Sequence, residues 1–189
     1  MDEHMIKHCK ETLKKNNLEP IKKLGKGSYG LVFLVSKPSS ETELYSVKCT
    51  YKKQFVKKPI LRRYLKQEIT LMETLEHPNL VKLIRTFEDD GWIFMVMEYC
   101  DFGNISIIQT EKYNGLFSFE ECSSIVQEVI EGLKYMHNHN ILHRDIKPEN
   151  ILRKKTKKGM ITKICDLGFS HEGIEEANTF CGTTYYMAP

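Results

Sequence analysis

The feature that most constrains this chain is a polar segment, His143–Asn150, which is followed after a short interval by Asp166. The segment reads His-Arg-Asp-Ile-Lys-Pro-Glu-Asn, and Asp166 begins the triplet Asp-Leu-Gly. Phosphoryl transfer needs a base for the attacking hydroxyl, oxygen ligands for magnesium and a cation near the moving phosphate. Asp145, Lys147, Asn150 and Asp166 offer these groups. The order of these four residues along the chain therefore predicts a phosphoryl-transfer site, although most polar loops only connect strands.

A glycine-rich segment, Gly25–Val32, lies upstream. Gly25, Gly27 and Gly30 follow Gly-x-Gly-x-x-Gly spacing, and glycines let a backbone fold closely over phosphates. The same spacing opens dinucleotide-binding folds, but in those folds a helix follows. Here the apolar, β-branched run Leu31–Val35 predicts a strand. A strand-turn-strand loop over a nucleotide is therefore the better interpretation.

Two charged residues lie between these motifs. Lys48 ends the strand-like stretch Tyr45–Lys48, and Glu68 lies in Leu65–Leu75, where apolar residues recur at helical steps. Alone, Lys48 could be a surface side chain with a buried stem, and Glu68 could be a solvated helix charge. A strand Lys paired with a Glu on the next helix is also the ion pair of an assembled phosphotransferase site. Taken together with the glycine-rich segment and the polar segment, the two residues favour the ion pair.

Together these motifs resemble those of eukaryotic-type serine/threonine protein kinases, from about residue 18 to residue 189. The resemblance implies an α+β, two-lobed fold with an antiparallel β-rich N-lobe, one key helix, and a helical C-lobe that is incomplete here. It divides the chain into an N-terminal extension (1–17), the N-lobe (18–97), and the hinge with a partial C-lobe through the activation segment (98–189). Phe119–His137 has apolar residues at helical steps and predicts a long helix below the polar segment.

The resemblance also implies a role for each matching residue. Asp145 would be the base, Asn150 and Asp166 would hold Mg²⁺, and the backbone of Glu98 and Cys100 would bond the adenine of ATP. The expected catalytic residues are Asp145, Lys147, Asn150, Lys48 and Glu68. The residues expected to bind ATP are Gly25, Lys26, Gly27, Ser28, Gly30, Val32, Ser46, Lys48, Met97, Glu98, Cys100, Leu152 and Asp166.

Substrate class and regulation follow from the same resemblance. Lys147 and Thr183 match a pair that accompanies transfer to Ser or Thr, so a protein substrate with a Ser/Thr acceptor is expected. Thr179 matches an activation-loop phosphosite, which an upstream activating kinase would modify, and Arg144 would receive its phosphate. The alternative is that Thr179 is an ordinary loop residue and that Arg144 bonds backbone.

Two residues depart from the family pattern. Ser46 stands where the family usually has Ala, and Leu167 where it usually has Phe. Ser46 would place a hydroxyl beside an apolar base, where the hydroxyl needs a hydrogen-bond partner. Leu167 keeps an apolar side chain but alters the segment that switches between active and inactive arrangements.

Composition excludes several functional classes. Lys plus Arg number 28 and Asp plus Glu 25, and a net charge of +3 is too small to argue for a nucleic-acid partner. The six cysteines show no metal-ligand spacing or disulfide framework. No apolar run approaches the roughly 20 residues of a membrane span, and the segment Met1–Asn17 is too charged for a signal peptide. We expect no membrane partner and a cytoplasmic location, with the nucleus as the alternative. The basic run Arg153–Gly159 resembles a nuclear-localisation signal, but its place between two strand-like stretches favours a solvated hairpin turn.

The sequence ends at Pro189, whereas related kinases continue through several further helices. We therefore expect residues 1–189 alone to be marginally stable and weakly active or inactive. Two functions stay open: an ATP-dependent serine/threonine protein kinase, or a truncated, catalytically weak nucleotide-binding scaffold or pseudokinase-like regulator. Lys48, Asp145 and Asp166, which pseudokinases usually lose, are all present and favour the enzyme.

Overall fold

The computed structural model describes residues 3–27, 30–112, 117–168 and 170–172, together with Thr183 and Tyr186. The chain forms two compact units. One consists of Met1–Arg63 with Leu83–Tyr99, and the other of Tyr64–Lys82 with Cys100–Pro189.

Secondary structure is numbered in chain order. The helices are α1 (Glu3–Lys15), α2 (Gln54–Lys57), α3 (Ile60–Thr74), α4 (Ile105–Lys112) and α5 (Phe119–Asn138). The strands are β1 (Glu19–Gly27), β2 (Gly30–Lys37), β3 (Ser40–Tyr51), β4 (Leu83–Glu88), β5 (Trp92–Glu98), β6 (Gly103–Asn104), β7 (Ile141–Leu142), β8 (Ile151–Thr156), β9 (Gly159–Ile164) and β10 (His171–Glu172). Within the described ranges, none of the helices combines the length and the apolar character that crossing a bilayer requires.

The first unit is built on an antiparallel sheet with strand order β1-β2-β3-β5-β4. Gly27 of β1 pairs with Gly30 of β2, so the glycine-rich segment joins two neighbouring strands. The predicted strand Leu31–Val35 lies inside β2. The strand-turn-strand prediction is therefore confirmed.

The N-terminal extension forms helix α1, which the sequence analysis did not predict. One helix was expected in the first 97 residues, whereas α1 and α2 precede α3. Cys9 and Leu13, one helical turn apart, are fully buried. The helix ends at Lys15 and is followed by Asn17, whose φ of 58° is left-handed. The Leu18 amide donates to the carbonyl of Leu13 at 3.1 Å. This Schellman-type cap turns the chain directly into β1.

The core of the first unit contains residues of α1 and of one face of the sheet. The cluster comprises Cys9, Leu13, Leu18, Leu31, Phe33, Val35, Val47, Cys49, Trp92, Phe94 and Val96. Because side chains alternate along a strand, the residues between these belong to the opposite face. Val32 there pairs with Lys48, and Ser46 pairs with Met97. Four of the predicted ATP-binding residues therefore share the sheet face that α1 does not cover.

Asp89, in the turn between β4 and β5, anchors α1 to the sheet. Its Oδ2 accepts the Thr12 hydroxyl at 2.6 Å, while its Oδ1 accepts the amides of Gly91 at 2.8 Å and Trp92 at 2.7 Å. Burial opposes ionisation of Asp89, but these three donors outweigh it and hold the pKa below its usual value. The ionised carboxylate thus joins a helix and a turn that are far apart in sequence.

The second unit contains the predicted long helix and the predicted hairpin. Helix α5 covers Phe119–Asn138 and begins with a capping box, in which the Glu121 amide donates to Ser118 Oγ at 3.1 Å and the Ser118 amide to Glu121 Oε2 at 3.0 Å. Strands β8 and β9 pair through Thr156 and Gly159. Both predictions are confirmed.

Arg153 corrects one detail of the hairpin prediction. It was assigned to a solvated turn, but its side chain is 12% exposed and its Nη1 lies 3.1 Å from Glu128 Oε2 on α5. The same nitrogen donates to Thr162 Oγ1 at 2.6 Å, and the Thr162 amide donates to Glu128 at 2.9 Å. This network fixes the hairpin against α5, and the hairpin in turn continues from the polar segment that carries the candidate site.

Candidate active site

Asp145 lies at the centre of a compact polar cluster in the second unit. Lys147 Nζ is 2.7 Å from Asp145 Oδ2 and donates to Thr183 Oγ1 at 2.7 Å. The Thr183 hydroxyl donates to Asp145 Oδ1 at 2.6 Å. The lysine therefore contacts the threonine hydroxyl, as the family resemblance implied, and both residues also contact the Asp145 carboxylate, which was not predicted.

Asn150 completes the cluster from the far end of the loop. Pro148–Asn150 forms one turn of 3-10 helix, which closes the loop and turns the Asn150 side chain back. Its Nδ2 donates to the Asp145 carbonyl at 2.8 Å and to Asp145 Oδ2 at 2.9 Å. Both bonds come from the amide nitrogen, which leaves the amide oxygen to accept.

The His143 side chain connects the polar segment to Cys165 through two hydrogen bonds. The Asp145 amide donates to His143 Nδ1 at 3.2 Å, so Nδ1 carries no proton. His143 Nε2 then donates to the Cys165 carbonyl at 3.1 Å, which identifies the neutral tautomer. Burial, with the side chain 2% exposed, lowers the pKa of His143 and agrees with that assignment.

Opposing effects set the ionisation of Asp145. Its burial, with 4% of the residue exposed, would raise the pKa of the carboxyl group. Hydrogen bonds from Lys147 and Thr183 and the charge of Lys147 outweigh burial, so the net pKa lies below its usual value. Asp145 is therefore an ionised hydrogen-bond acceptor at neutral pH.

Two residues of the site have backbone conformations that are rare outside glycine. Arg144 has a φ of 63° and Asp166 a φ of 64°. Left-handed conformations of non-glycine residues cost free energy, and they are enriched at functional sites. At Gly168, a Cβ atom would lie 3.3 Å from Asp166 Oδ1 and 3.6 Å from Glu68 Oε2. Glu68, which is buried at 4% exposure, and Asp166 therefore approach the same glycine.

A comparison with known proteins gives the family. A model of the protein kinase domain matches residues 18–189. The chain belongs to the protein kinase family. This membership, with the antiparallel sheet and the separate helices, confirms the predicted α+β class.

Three relatives illustrate the similarity of this kinase sequence to known proteins. The chain is 36% identical over 174 residues to serine/threonine-protein kinase Nek5 of Homo sapiens and 37% identical over 174 residues to calcium-dependent protein kinase 4 of Plasmodium berghei (strain Anka). It is 33% identical over 180 residues to 3-phosphoinositide-dependent protein kinase B of Dictyostelium discoideum. These alignments cover 89%, 89% and 93% of the chain but only 24%, 32% and 19% of the respective relatives.

In the first unit, Ser46 resolves one question that the kinase motif raised. Its hydroxyl donates to the Glu98 carbonyl at 3.0 Å, so the polar group that replaces the usual alanine has a partner. The Cys100 carbonyl, in the second unit, accepts the Gly103 amide at 3.2 Å.

The glycines of the glycine-rich segment differ in their surroundings. A Cβ atom on Gly30 would lie only 1.9 Å from the Cys49 carbonyl oxygen of β3, whereas one on Gly25 would meet nothing within 4 Å. Gly30 is thus required by the packing of two strands. At position 25, the packing of the described residues does not require glycine. The role of Gly25 in binding phosphate stays a prediction.

Asn150 and Asp166 offer the oxygen donors that magnesium prefers. Mg²⁺ is a hard cation that one or two protein groups hold together with water and substrate phosphates. The amide oxygen of Asn150 is not used in its two bonds to Asp145, and Asp166 supplies a carboxylate on an exposed residue. The donor chemistry therefore fits the metal that the kinase family uses.

Other predicted site residues do not belong to this cluster. Ser28 and Thr179 lie outside the described residues. Lys48 belongs to the first unit and Glu68 to the second, so their ion pair stays a prediction. The predicted role of Arg144 as the receiver of a phosphate on Thr179 also stays a prediction.

Cys165 is a supporting residue that the motif search missed. Its carbonyl accepts His143 Nε2, and its amide donates to the Asn150 carbonyl at 2.9 Å. Both contacts use the backbone, so the identity of the side chain gave no signal. Its position directly before Asp166 was the available clue, because a residue there can connect Asp166 to the polar segment His143–Asn150 through its backbone.

Thr183 should matter for the rate of the reaction. A Thr183→Val variant loses the hydroxyl that bridges Lys147 and Asp145, so we expect kcat to fall about tenfold to a hundredfold through misplacement of the catalytic groups. Steady-state kinetics of transfer to a peptide would measure this loss. Thr183→Ser keeps the hydroxyl and should recover most of the rate, and an equally inactive serine variant would contradict the bridging role.

His143 should make the stability of the chain depend on pH. The unfolded side chain has a pKa near 6.5, and the folded pKa is lower, so the unfolded state binds more protons between the two values. The free energy of unfolding should therefore fall as the pH drops below about 6.5. Urea titrations between pH 7.5 and 5 would show this decrease. A His143→Asn variant should lose part of it, whereas a variant of the exposed His137 to Asn should retain it.

Proposed function

We propose that the chain is an ATP-dependent serine/threonine protein kinase that transfers the γ-phosphate of ATP to Ser and Thr hydroxyls of proteins. The observation that carries the proposal is the cluster of Asp145, Lys147, Thr183 and Asn150. These residues combine an ionised base, a cation and a hydroxyl within hydrogen-bond distance of one another. Family membership supports kinase activity in general, and the cluster supports the acceptor class.

In this proposal Asp145 accepts the proton of the attacking hydroxyl. The low pKa keeps its carboxylate ionised, and the bonds from Asn150 and Thr183 fix its orientation. The hydroxyl oxygen forms a bond to the γ-phosphorus as the bond from that phosphorus to the bridging oxygen breaks, which leaves ADP. Lys147 lies beside the base, where its charge stabilises negative charge on the moving phosphoryl group.

ATP and Mg²⁺ are the proposed cofactors. When bound, Mg²⁺ neutralises charge that develops on the phosphates. Asn150 and Asp166 would hold the metal, and Lys48 would hold the α- and β-phosphates. Val32, Ser46 and Met97 would contact the adenine from the sheet face opposite α1.

The acceptor class is proposed from Lys147 and Thr183. Their direct bond of 2.7 Å is the contact that the family resemblance associates with transfer to Ser or Thr. The name of the human relative also specifies a serine/threonine kinase. Both observations favour aliphatic hydroxyls over the phenol of tyrosine.

The test is transfer of labelled γ-phosphate from ATP to matched peptide pools with Ser/Thr or Tyr acceptors. We expect magnesium-dependent labelling of the Ser/Thr pool, and its loss in an Asp166→Ala variant. Preferential labelling of the Tyr pool would reject the acceptor class. ATP binding without any transfer would reject the enzyme proposal and support a nucleotide-binding scaffold.

We propose Thr179 as the substrate site of an upstream activating kinase, with Arg144 as the receiver of its phosphate. Arginine pairs well with the roughly two negative charges of a phosphate. A Thr179→Ala variant should then lose activation by cell extract, and unchanged activation would reject the site.

For location we propose the cytoplasm, with the nucleus as the alternative, because the cysteine spacing suits a reducing compartment. Microscopy of a fluorescent fusion would test this.

A further inference from the structure

A cavity of about 750 Å³ lies in the first unit, where the end of α1 meets the sheet. It is formed by the turn after α1, the turn between β2 and β3, and strands β4 and β5. Its volume falls in the usual range for ligand sites, about 300–1,000 Å³. One wall consists of Lys15, Asn16 and Asn17, which precede the region that the kinase family model matches. The cavity is therefore built partly by this chain's own extension.

The charges around the cavity have one sign. Lys15, Lys37 and Arg85 line it, and none of the described residues that line it is acidic. Lys37 is paired with Glu43 at 2.5 Å, and Glu43 is not among the lining residues. Glu19, which follows the lining residue Leu18 in sequence, is paired with Lys14 at 2.9 Å. An anionic ligand would therefore meet cations and would face carboxylates that are already paired.

Arg85 is held in a fixed position at this cavity. Its Nη2 donates to the Asn16 carbonyl at 2.7 Å, and its guanidinium lies 5.0 Å from the ring centroid of Phe87. These contacts use one nitrogen and one face of the planar group, and the fork retains further N–H donors. A positioned guanidinium favours carboxylate recognition more than a mobile surface lysine does.

The remaining lining is apolar. Leu18 and Val96 are almost completely buried beneath the cavity, whereas Ile84 on the edge strand β4 is 45% exposed. Ile84 is a large apolar side chain that no described contact removes from water, next to Arg85 in sequence. A free anion such as phosphate would contact the cations and would leave the Ile84 side chain exposed to water. A peptide with both acidic and apolar side chains would use both.

We propose that this cavity is a docking site for an acidic peptide segment of a partner protein, whose carboxylates pair with Lys15 and Arg85 and whose apolar side chain covers Ile84. The site lies on the part of the fold that α1 builds, and it needs none of the catalytic residues. Complementary charge would mainly set the specificity and the rate of association, while the apolar contact would slow dissociation of the bound peptide.

The test uses fluorescence anisotropy of the whole chain with a fluorescein-labelled octapeptide of alternating glutamate and leucine. We expect saturable binding that weakens as NaCl rises, and no comparable binding of the same peptide with glutamine for glutamate. Inorganic phosphate at equal concentration should not displace the peptide. Displacement by phosphate, or equal binding of the glutamine peptide, would overturn the proposal.

Two variants locate the binding. Lys15→Glu should weaken the affinity about tenfold, because it reverses a charge that lines the cavity. Lys10→Glu is the matched control, since Lys10 is an exposed lysine of the same helix that does not line the cavity, and its effect should stay within about twofold. Ile84→Ser should also weaken binding without changing the charge. Equal effects of the two lysine variants, or full binding by both Lys15→Glu and Ile84→Ser, would overturn the site.

Discussion

Replacing Asp145 by asparagine should lower kcat for phosphoryl transfer by about a hundredfold to ten-thousandfold, the range that a positioned base usually contributes. The amide has nearly the same shape, but it cannot take up the proton of the attacking hydroxyl. Its single amide oxygen can still accept from Asn150, so the loop should keep its fold. Lys147 loses its ionic partner, which adds to the loss of rate.

The measurement is steady-state transfer from ATP to a Ser/Thr peptide that contains no arginine, together with ATP affinity from a binding titration. Affinity should change little, because Asp145 is not expected to contact the nucleotide. Glu149→Gln is the matched control, since Glu149 is an exposed carboxylate of the same loop. If the two variants lose the same activity, Asp145 is not the base.

The polar loop shows how much a sequence motif can predict. Asp145, Lys147 and Asn150 were assigned to one site from the chain alone, whereas the direct contacts among them were not predicted. Thr183 was predicted from the family resemblance, and its bond to Lys147 spans 36 residues. The left-handed conformations of Arg144 and Asp166 were not predictable, because neither residue type prefers them.

Helix α1 shows what the motifs left out. The spacing of Ile6, Cys9 and Leu13 fits a helical face, but the kinase motifs do not extend to it and gave no reason to examine it. Its anchor is the bond from Thr12 to Asp89, which joins residues 77 positions apart. Such a contact exists only after the sheet has formed, and local sequence cannot reveal it.

Arg153 was predicted wrongly for a similar reason. In sequence it belongs to a run of basic residues that is typical of a solvated turn. In the structure the hairpin register turns it towards Glu128 on α5, while the neighbouring Lys155, Lys157 and Lys158 are exposed. Strand pairing decides which member of a basic run is buried, and that pairing depends on contacts outside the run.

Replacing Gly30 by alanine should destabilise the first unit by about 3 kcal/mol, near the upper end of the cost of forced overpacking. The new Cβ would lie 1.9 Å from the Cys49 carbonyl oxygen, 2.8 Å from its carbonyl carbon and 3.1 Å from Thr50 Cα. All three atoms belong to the backbone of β3, so no side chain can rotate away. Strands β2 and β3 must separate at the point where Gly30 pairs with Thr50. Lys48 lies two residues away on β3, so ATP affinity should fall as well.

Gly25→Ala provides the comparison that separates packing from the glycine motif itself. A Cβ there meets nothing within 4 Å, so the free energy of unfolding should change by no more than about 0.5 kcal/mol. Urea unfolding gives both values, with the m-value as a check that the unfolded states are comparable. A large loss only in Gly30→Ala means that the third glycine of the motif is fixed by strand packing. Equal losses would mean that the loop, and not the approach of β3, requires glycine at both positions.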